Sequence, residues 1–377
     1  MKYDRKVAQE LKPASLMVLS QVATAAVNVL YKLAINDGMN IMVLTSYRHI
    51  FGAAFSLSLA LLIERKRPKL TWRVLFMAFF SGLFGGTLAQ NLYFIGLAWV
   101  SATFATSLYN LVPLVTFIFS VFFGLEKLSL RTTSGRVKVL GPIIGIVGSM
   151  VLTFYRGTEI KIWTFHTTLL HKNQKGHLGS SNLDSGRRWV GVLCGLGSVV
   201  SFSSWLIIQT KMNKEYPSHF SSSALMSLMG AIQATVFALC VEKDWSQWRL
   251  GWSIRLLTAA FSGIVVSGVV VIVTAWCVGV KGPLYASVFN PLSLVIVAFF
   301  APLLLEENLY LGSVVGAALI VCGLYMVLWG KSKEMKPPTD LVSSETELRR
   351  TEVVVVSAND KNEHVSNNQV NSIRATL

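Results

Sequence analysis

The sequence predicts an all-α membrane protein of ten transmembrane helices, arranged as two inverted five-helix repeats. Three observations carry that expectation: an internal duplication, a series of apolar runs of bilayer length, and a one-sided distribution of Lys and Arg. The duplication is plainest between residues 105–126, ATSLYNLVPLVTFIFSVFFGLE, and 285–306, YASVFNPLSLVIVAFFAPLLLE. A shift of 180 places lays Ser107 on Ser287, Tyr109 on Phe289, Asn110 on Asn290 and Glu126 on Glu306. Phe80-Ser81-Gly82 likewise matches Phe261-Ser262-Gly263, and 141–154 matches 316–329. Repeats of this kind are characteristic of secondary carriers.

The composition agrees. Hydrophobic residues make up 53% of the chain and charged ones only 14%, with a mean hydropathy of +0.54, which lies outside the range of soluble domains. A helix needs roughly 20 apolar residues to cross a bilayer. Such runs occur at about 13–34, 40–63, 74–98, 101–125 and 139–155 in the first half. The second half has them at about 188–210, 220–241, 256–279, 283–305 and 309–329. The first run is a full span without a small-residue cleavage pattern, so it is expected to serve as an uncleaved anchor. Cys194, Cys240, Cys277 and Cys322 all fall within spans, with no CxxC pair or ligand spacing. Neither a disulfide, a metal site nor a cofactor is expected.

Orientation follows from the basic residues. With the N-terminus in the cytosol, the cytosolic segments hold Lys2, Arg5, Lys6 and Lys12, then Arg65 to Arg73, then Lys127, Arg131, Arg136 and Lys138. The opposite loops of the first half are nearly bare of them, which is the positive-inside pattern. Lys172, Lys175, Arg187 and Arg188 fall in a long outer loop, where the rule has less weight. The expected organisation is a cytosolic N-terminus (1–12), a first repeat (13–156), a non-cytosolic loop (157–187), a second repeat (188–330) and a disordered cytosolic tail (331–377). Five spans per repeat is an odd number, so the second repeat enters from the opposite side and the binding cavity is expected between the halves. The net charge of +15 is then a topology signal and a contact for lipid headgroups, and implies no nucleic-acid partner.

Few residues inside the spans can carry chemistry. Arg48 lies about eight residues into the second span, where a charge is costly unless paired or hydrated. An arginine there can hold a carboxylate through two parallel hydrogen bonds; snorkelling to the surface is the alternative. The adjacent His49 reads as a structural histidine. Asn110 and Asn290 form a symmetric pair, each shortly followed by a proline, Pro113 or Pro291. A proline frees a helical carbonyl, which membranes tolerate where backbone lines a cavity, so matched breaks point to a substrate site. The competing reading is that both amides are interhelical glue. Gln90, Asn91 and Tyr93, with Trp205 and Gln209, add amide and aromatic groups. Glu126 and Glu306 stand at span ends as gate candidates. The pairs Gly82/Gly86, Gly141/Gly145, Gly191/Gly195 and Gly312/Gly316 have GxxxG spacing and read first as close packing, with a homodimer as the other use.

No Asp or Glu lies at mid-membrane, which argues against proton-driven efflux of cationic drugs. Neither an ATPase phosphate loop nor an HExxH pair is present, so an enzyme is not expected.

Residues 13–331 resemble the plant nodulin-like, walls-are-thin-related (UMAMIT) transporters with two EamA domains, within the drug/metabolite transporter superfamily. The resemblance is carried by YRH at 47–49, QNLYFIGL at 90–97, SATFATSLYNLVPLVTF at 101–117, LEK at 125–127, GPLYASVFNPLSLVIVAF at 282–299 and the stretch 305–331. It implies a facilitative carrier, most often an amino-acid exporter, with auxin or a related organic acid as the variant substrate, in the plasma membrane or the vacuolar membrane. Alternating access between the repeats, with Arg48 on a carboxylate and Gln90, Asn91, Asn110 and Asn290 as polar contacts, is the expected mechanism. A non-transporting membrane scaffold or sensor is the alternative from another class.

The charge asymmetry yields a direct test of orientation. An epitope placed at either terminus is expected to be reached by antibody only after permeabilisation; labelling of intact cells would reverse the assignment.

Overall fold

The computed structural model describes residues 2–65, 69–100, 102–126, 128, 131–155, 158–160, 185–250, 253–305 and 309–335. Glu306, most of the long loop 157–187 and the tail beyond 335 lie outside them. The first half runs α1 (Lys2–Asn36), α2 (Ile41–Ile63), α3 (Trp72–Ser81), α4 (Ala89–Trp99), α5 (Ala102–Tyr109), α6 (Val112–Phe122) and α7 (Thr133–Phe154). A two-residue strand β1 (Glu159–Ile160) follows. The second half runs α8 (Ser185–Glu215), α9 (His219–Val241), α10 (Ile254–Ser262), α11 (Val271–Lys281), α12 (Pro283–Ser287) and α13 (Asn290–Leu305). It closes with β2 (Leu309–Tyr310) and α14 (Leu311–Met335). Among the described residues nine stretches are long and apolar enough to cross a membrane, and the remaining expected span is met by the shorter Pro283–Phe299.

Several boundaries depart from the apolar runs. α1 begins at Lys2 and α8 continues to Glu215, beyond the hydrophobic residues. A helix satisfies its own backbone, so it need not stop where the hydrocarbon does. The third and eighth spans each change to π-helix, at Gly82–Leu88 and Gly263–Val270. These turns occupy matching places in the two repeats, and π-turns occur preferentially at functional sites. The fourth and ninth spans are broken: α5 gives way to α6 at Asn110-Leu111, and α12 to α13 at Val288-Phe289. Pro113 and Pro291 lie in the first turn of the helix after each break, where a missing N–H costs nothing and a fixed φ favours the new helix. β1 and β2 pair antiparallel, Glu159 with Tyr310, and so tie the segment after α7 to the start of α14.

Glycine, serine and alanine make the buried faces. α2 buries Ser46, Gly52, Ala53 and Ser56, and α9 buries Ser223, Ser227, Gly230 and Ala234. Large apolar side chains such as Leu62, Phe76 and Phe122 point outward. This distribution suits a solvent as apolar as leucine, in which helices associate by close packing rather than by exclusion from water.

The inverted symmetry is visible in which elements touch. α2 packs on the second π-turn while α9 packs on the first; α1 packs on α13 while α8 packs on α6. α2 and α9 lie against each other along their length and are tied at both ends. At one end the carboxylate of Glu64, just after α2, accepts from the backbone N–H groups of Phe220 and Ser221 at 3.2 and 2.9 Å. At the other, Asn40 caps α2 by accepting from Met42 N–H and donates to Glu242, just after α9. Glu64 and Glu242 stand 178 positions apart, as do Gly52 and Gly230. A carboxylate on exposed helix-start amides is a favourable charge-assisted cap. Arg255 and Asp37 add an ion pair of 2.7 Å near the Asn40 end. In the neighbouring loop, the Ser246 hydroxyl and backbone N–H hold the Asp244 carboxyl below the usual carboxylate range.

Two close crossings fix the repeats to each other. A Cβ added at Gly52 would lie 2.5 Å from Ser267 Cβ and 3.0 Å from the Gly263 carbonyl oxygen. One added at Gly82 would lie 2.6 Å from the Gly230 nitrogen. Gly141 and Gly148 meet Gly323 and Gly316 of α14 in the same way, and Gly191 and Gly195 face Trp99 and Leu108. All four GxxxG pairs are thus used in crossings within the chain, Gly312 lying against Tyr155.

The geometry separates tolerant from intolerant glycines. Gly52→Ala and Gly82→Ala are expected to destabilise the solubilised protein by about 1–3 kcal/mol, the usual range for overpacking. Gly230→Ala, whose added methyl meets nothing closer than 3.6 Å, is expected to unfold near the parent temperature in the same fluorescence-detected thermal scan.

Candidate functional site

Arg48 is two turns into α2, about 12 Å along the axis from the Asn40 cap at 1.5 Å per residue. It is 9% exposed and does not reach the surface. Its Nε donates to the hydroxyl of Ser267 at 2.8 Å, and its Nη1 donates to the phenol of Tyr31 at 3.0 Å. The Tyr31 ring lies 6.0 Å from the guanidinium carbon. Ser267 belongs to the second π-turn and Tyr31 to α1, so three helices from both repeats converge on this cation. Among the described residues it forms no ion pair with any carboxylate.

The first π-turn meets the next residue of α2. His49 Nε2 meets Gln90 Oε1 at 3.3 Å, and Gly86 lies against the imidazole, where an added Cβ would stand 3.4 Å from His49 Cε1. Asn91 is buried next to Gln90 on α4. Tyr93 follows on the same helix and starts an aromatic series: Tyr93 to Tyr109 at 5.6 Å between centroids, Tyr109 to Phe202 at 5.7 Å, and Phe202 to Trp205 at 5.0 Å, all edge-on. A buried guanidinium can hold a carboxylate, and amides and aromatic faces such as those on α4, α5 and α8 can hold an ammonium group.

Trp205 packs flat on Gly85 of the first π-turn and donates from Nε1 to Met226 Sδ at 3.1 Å. Met226 stands 178 positions after Arg48, at the same place in α9 that the arginine holds in α2. One repeat therefore presents a cation where the other presents a thioether.

The expected site residues are divided by the fold. Arg48 is tied to Ser267 and Tyr31, while His49, the next residue of α2, meets Gln90 of α4, with Asn91 buried beside Gln90 and Tyr109 in the ring series of Tyr93 and Phe202. Asn110 turns away from it into a narrow cleft with Pro113, Val288 and Pro291, closed by Gly145 and Ile146 of α7 and Ile320 and Leu324 of α14. The cleft admits about one water molecule. Asn110 is 6% exposed, and its Nδ2 has no hydrogen-bond partner; Asn290 Nδ2 is likewise buried without one. Glu126 is remote from both groups and pairs with Lys138 at 3.1 Å, with side chains only 6% and 1% exposed. Gln209 is fully buried, between Ser81 and Asn213. Among the described residues no cluster of His, Cys, Asp and Glu could hold a metal ion.

Tyr31, Ser267, Lys138 and the two capping carboxylates were not singled out from sequence. The carboxylates had a readable signal, since Glu64 and Glu242 close matching spans. Ser267 had only a faint one, its alignment with Gly86 in the duplicated eighth and third spans.

The unpartnered amides make a sharp test. Asn110→Leu or Asn290→Leu removes a buried donor that has no partner to lose, so abundance and thermal stability are expected to stay close to the parent while vesicle flux falls. Loss of protein with unchanged flux per molecule would assign both residues to packing.

Comparison with known proteins places the chain. The EamA-like transporter family matches residues 11–154 and 189–329. A WAT1-related protein of Arabidopsis thaliana is 43% identical over 86% of this chain and 91% of its own. A second from the same plant is 42% identical over the same shares. One solved crystal structure shares the fold, with a TM-score of 0.61 over 87% of this chain and 99% of that one at 17% identity. With both halves matched and relatives this similar along nearly their whole length, the chain belongs to the EamA-like transporter family, on its WAT1-related branch, and is a multi-pass membrane transporter.

Proposed function

We propose that the protein carries amino acids across the membrane by alternating access, as a facilitative exporter or a bidirectional carrier, with the plasma membrane as its site of action. The observation that carries this reading is Arg48, a buried cation at mid-depth with no carboxylate partner among the described residues and with guanidinium donors to spare. A carboxylate supplied by a solute would compensate that charge. In this reading Gln90, bonded to His49 next to the arginine in the chain, and Asn91 supply amides, and the Tyr93–Tyr109–Phe202–Trp205 series supplies faces for an ammonium or a side chain.

The breaks at Asn110 and before Asn290 give the fourth and ninth spans places to bend, and Asn110 and Asn290 contribute amide donors there. The Glu126–Lys138 pair at the end of the fourth span serves as a gate contact. No deep carboxylate and no nucleotide loop is present in the sequence, so the gradient of the solute itself is the driving force proposed.

The test is flux in reconstituted vesicles with labelled amino acids and labelled auxin side by side, at matched protein. Amino-acid flux with competition among neutral amino acids is expected; flux of auxin alone would move the substrate to organic anions, and no flux of either would favour a scaffold. Within the panel, Arg48→Lys keeps the charge but loses the fork, so it should weaken carboxylate solutes partially, whereas Arg48→Gln should abolish most of their binding. An unchanged half-saturation concentration in Arg48→Gln would remove the arginine from the site.

A further inference from the structure

The hydrogen bonds around Arg48 say how a carboxylate must approach it. A guanidinium has five N–H donors: one on Nε and two on each terminal nitrogen. Ser267 takes the Nε donor at 2.8 Å and Tyr31 takes one from Nη1 at 3.0 Å. The side edge, formed by Nε and the neighbouring terminal nitrogen, is therefore blocked by Ser267. The three donors left are one on Nη1 and two on Nη2, so the Nη1–Nη2 end is the edge that keeps a donor on each of its nitrogens. Ser267 is itself held in place: its Cβ abuts Gly52, one helical turn beyond Arg48 on α2, and its carbonyl accepts from the Ser227 hydroxyl at 3.4 Å.

The two partners come from different parts of the molecule. Tyr31 belongs to the same repeat as Arg48, while Ser267 belongs to the other and reaches it from the π-turn Gly263–Val270. The matching residue of the first π-turn, 181 positions earlier, is Gly86, which lacks a hydroxyl. The contact thus has no symmetric counterpart, as Arg48 has none in Met226.

We propose that Ser267 and Tyr31 are positioning residues that hold the Arg48 fork end-on to the substrate carboxylate, with Ser267 supplying the constraint from the opposite repeat. The proposal rests on the reading of Arg48 as the carboxylate contact. Neither residue touches the substrate; both restrict the guanidinium to one orientation, so the ordering cost is met before the solute arrives. Loss of either partner lets the fork rotate, and the penalty falls on binding of the carboxylate rather than on the rate of the loaded carrier.

The test uses the full chain in vesicles, with labelled leucine as probe and unlabelled leucine or leucinamide, which lacks the carboxylate, as competitor. Ser267→Ala and Tyr31→Phe, the second of which keeps the ring over the cation, are each expected to raise the half-saturation concentration for leucine about three- to tenfold, the range for losing one hydrogen bond. Maximal flux per molecule should hold, and the preference for leucine over leucinamide should narrow by the same factor. In the Arg48→Gln background neither change should have any further effect, because there is no fork left to orient.

The failures are distinguishable. If Arg48→Gln itself leaves half-saturation and the leucinamide discrimination untouched, the reading of Arg48 falls. If Arg48→Gln abolishes the discrimination while Ser267→Ala and Tyr31→Phe leave it at the parent value, the arginine stands and the positioning role is overturned. A drop in maximal flux of labelled leucine with the leucine-over-leucinamide preference unchanged, or additive effects in the Arg48→Gln background, would likewise overturn positioning and make both residues structural.

Discussion

Two glycine crossings, Gly52 against Gly263 and Gly82 against Gly230, set the distance at which the halves of the protein meet, and the character of the interior follows from that distance. Backbones this close leave space only for hydroxyls and methyls, which is why the facing surfaces of α2 and α9 are built from Ser, Ala and Gly. A solvent of acyl chains offers no reward for burying leucine, so contact area and polar bonds must do the holding. The acidic caps complete the arrangement. Glu64 and Glu242 each sit where one helix ends beside the start of the other, and satisfy amides or an asparagine that would otherwise face the membrane boundary.

That packing is also what makes a mid-depth cation tolerable. Arg48 lies on the face of α2 that meets the opposite repeat, where the π-turn of the eighth span swings a hydroxyl toward it. A regular α-helix would carry Ser267 past this position; the extra residue in the turn changes which side chains face inward. The same device in the third span places Gly85 under the Trp205 ring and Gly86 against His49. Both π-turns therefore act on the polar region, one by presenting a side chain and the other by withholding one.

Much of this was legible in the sequence, for identifiable reasons. The spans and their duplication were legible because hydrophobic length and repeated order are one-dimensional properties. The breaks in the fourth and ninth spans were announced by Pro113 and Pro291, whose missing N–H acts locally. The π-turns were not, since an extra residue per turn leaves no mark on composition, and the Ser-Gly match at 81–82 and 262–263 showed only that something recurs. The grouping of the polar residues was not legible either. Tyr109 and Asn110 are neighbours in the chain, yet a step of about 100° around a helix sends one among the rings of Tyr93 and Phe202 and the other into the cleft beside α7 and α14. The buried partner of Glu126 was hidden differently: Lys138 read as a loop-side topology charge, and only the fold shows that it turns inward.

The mismatch between Arg48 and Met226 bears on energy as well as on recognition. In a perfectly duplicated inverted carrier the outward-open and inward-open forms would be related by a two-fold rotation in the membrane plane, equal in free energy and visited equally often. Each position at which the halves differ contributes to a difference between them. A guanidinium on one side of the pseudo-axis with a thioether on the other, and a serine hydroxyl opposite a bare glycine, are differences of the polar kind, the largest per residue in a medium of low dielectric constant. Under the alternating access proposed above, the resting orientation of an empty carrier built this way is consequently biased. Exchanging residues between the paired positions would be a means of resetting that bias without altering the shape of the fold.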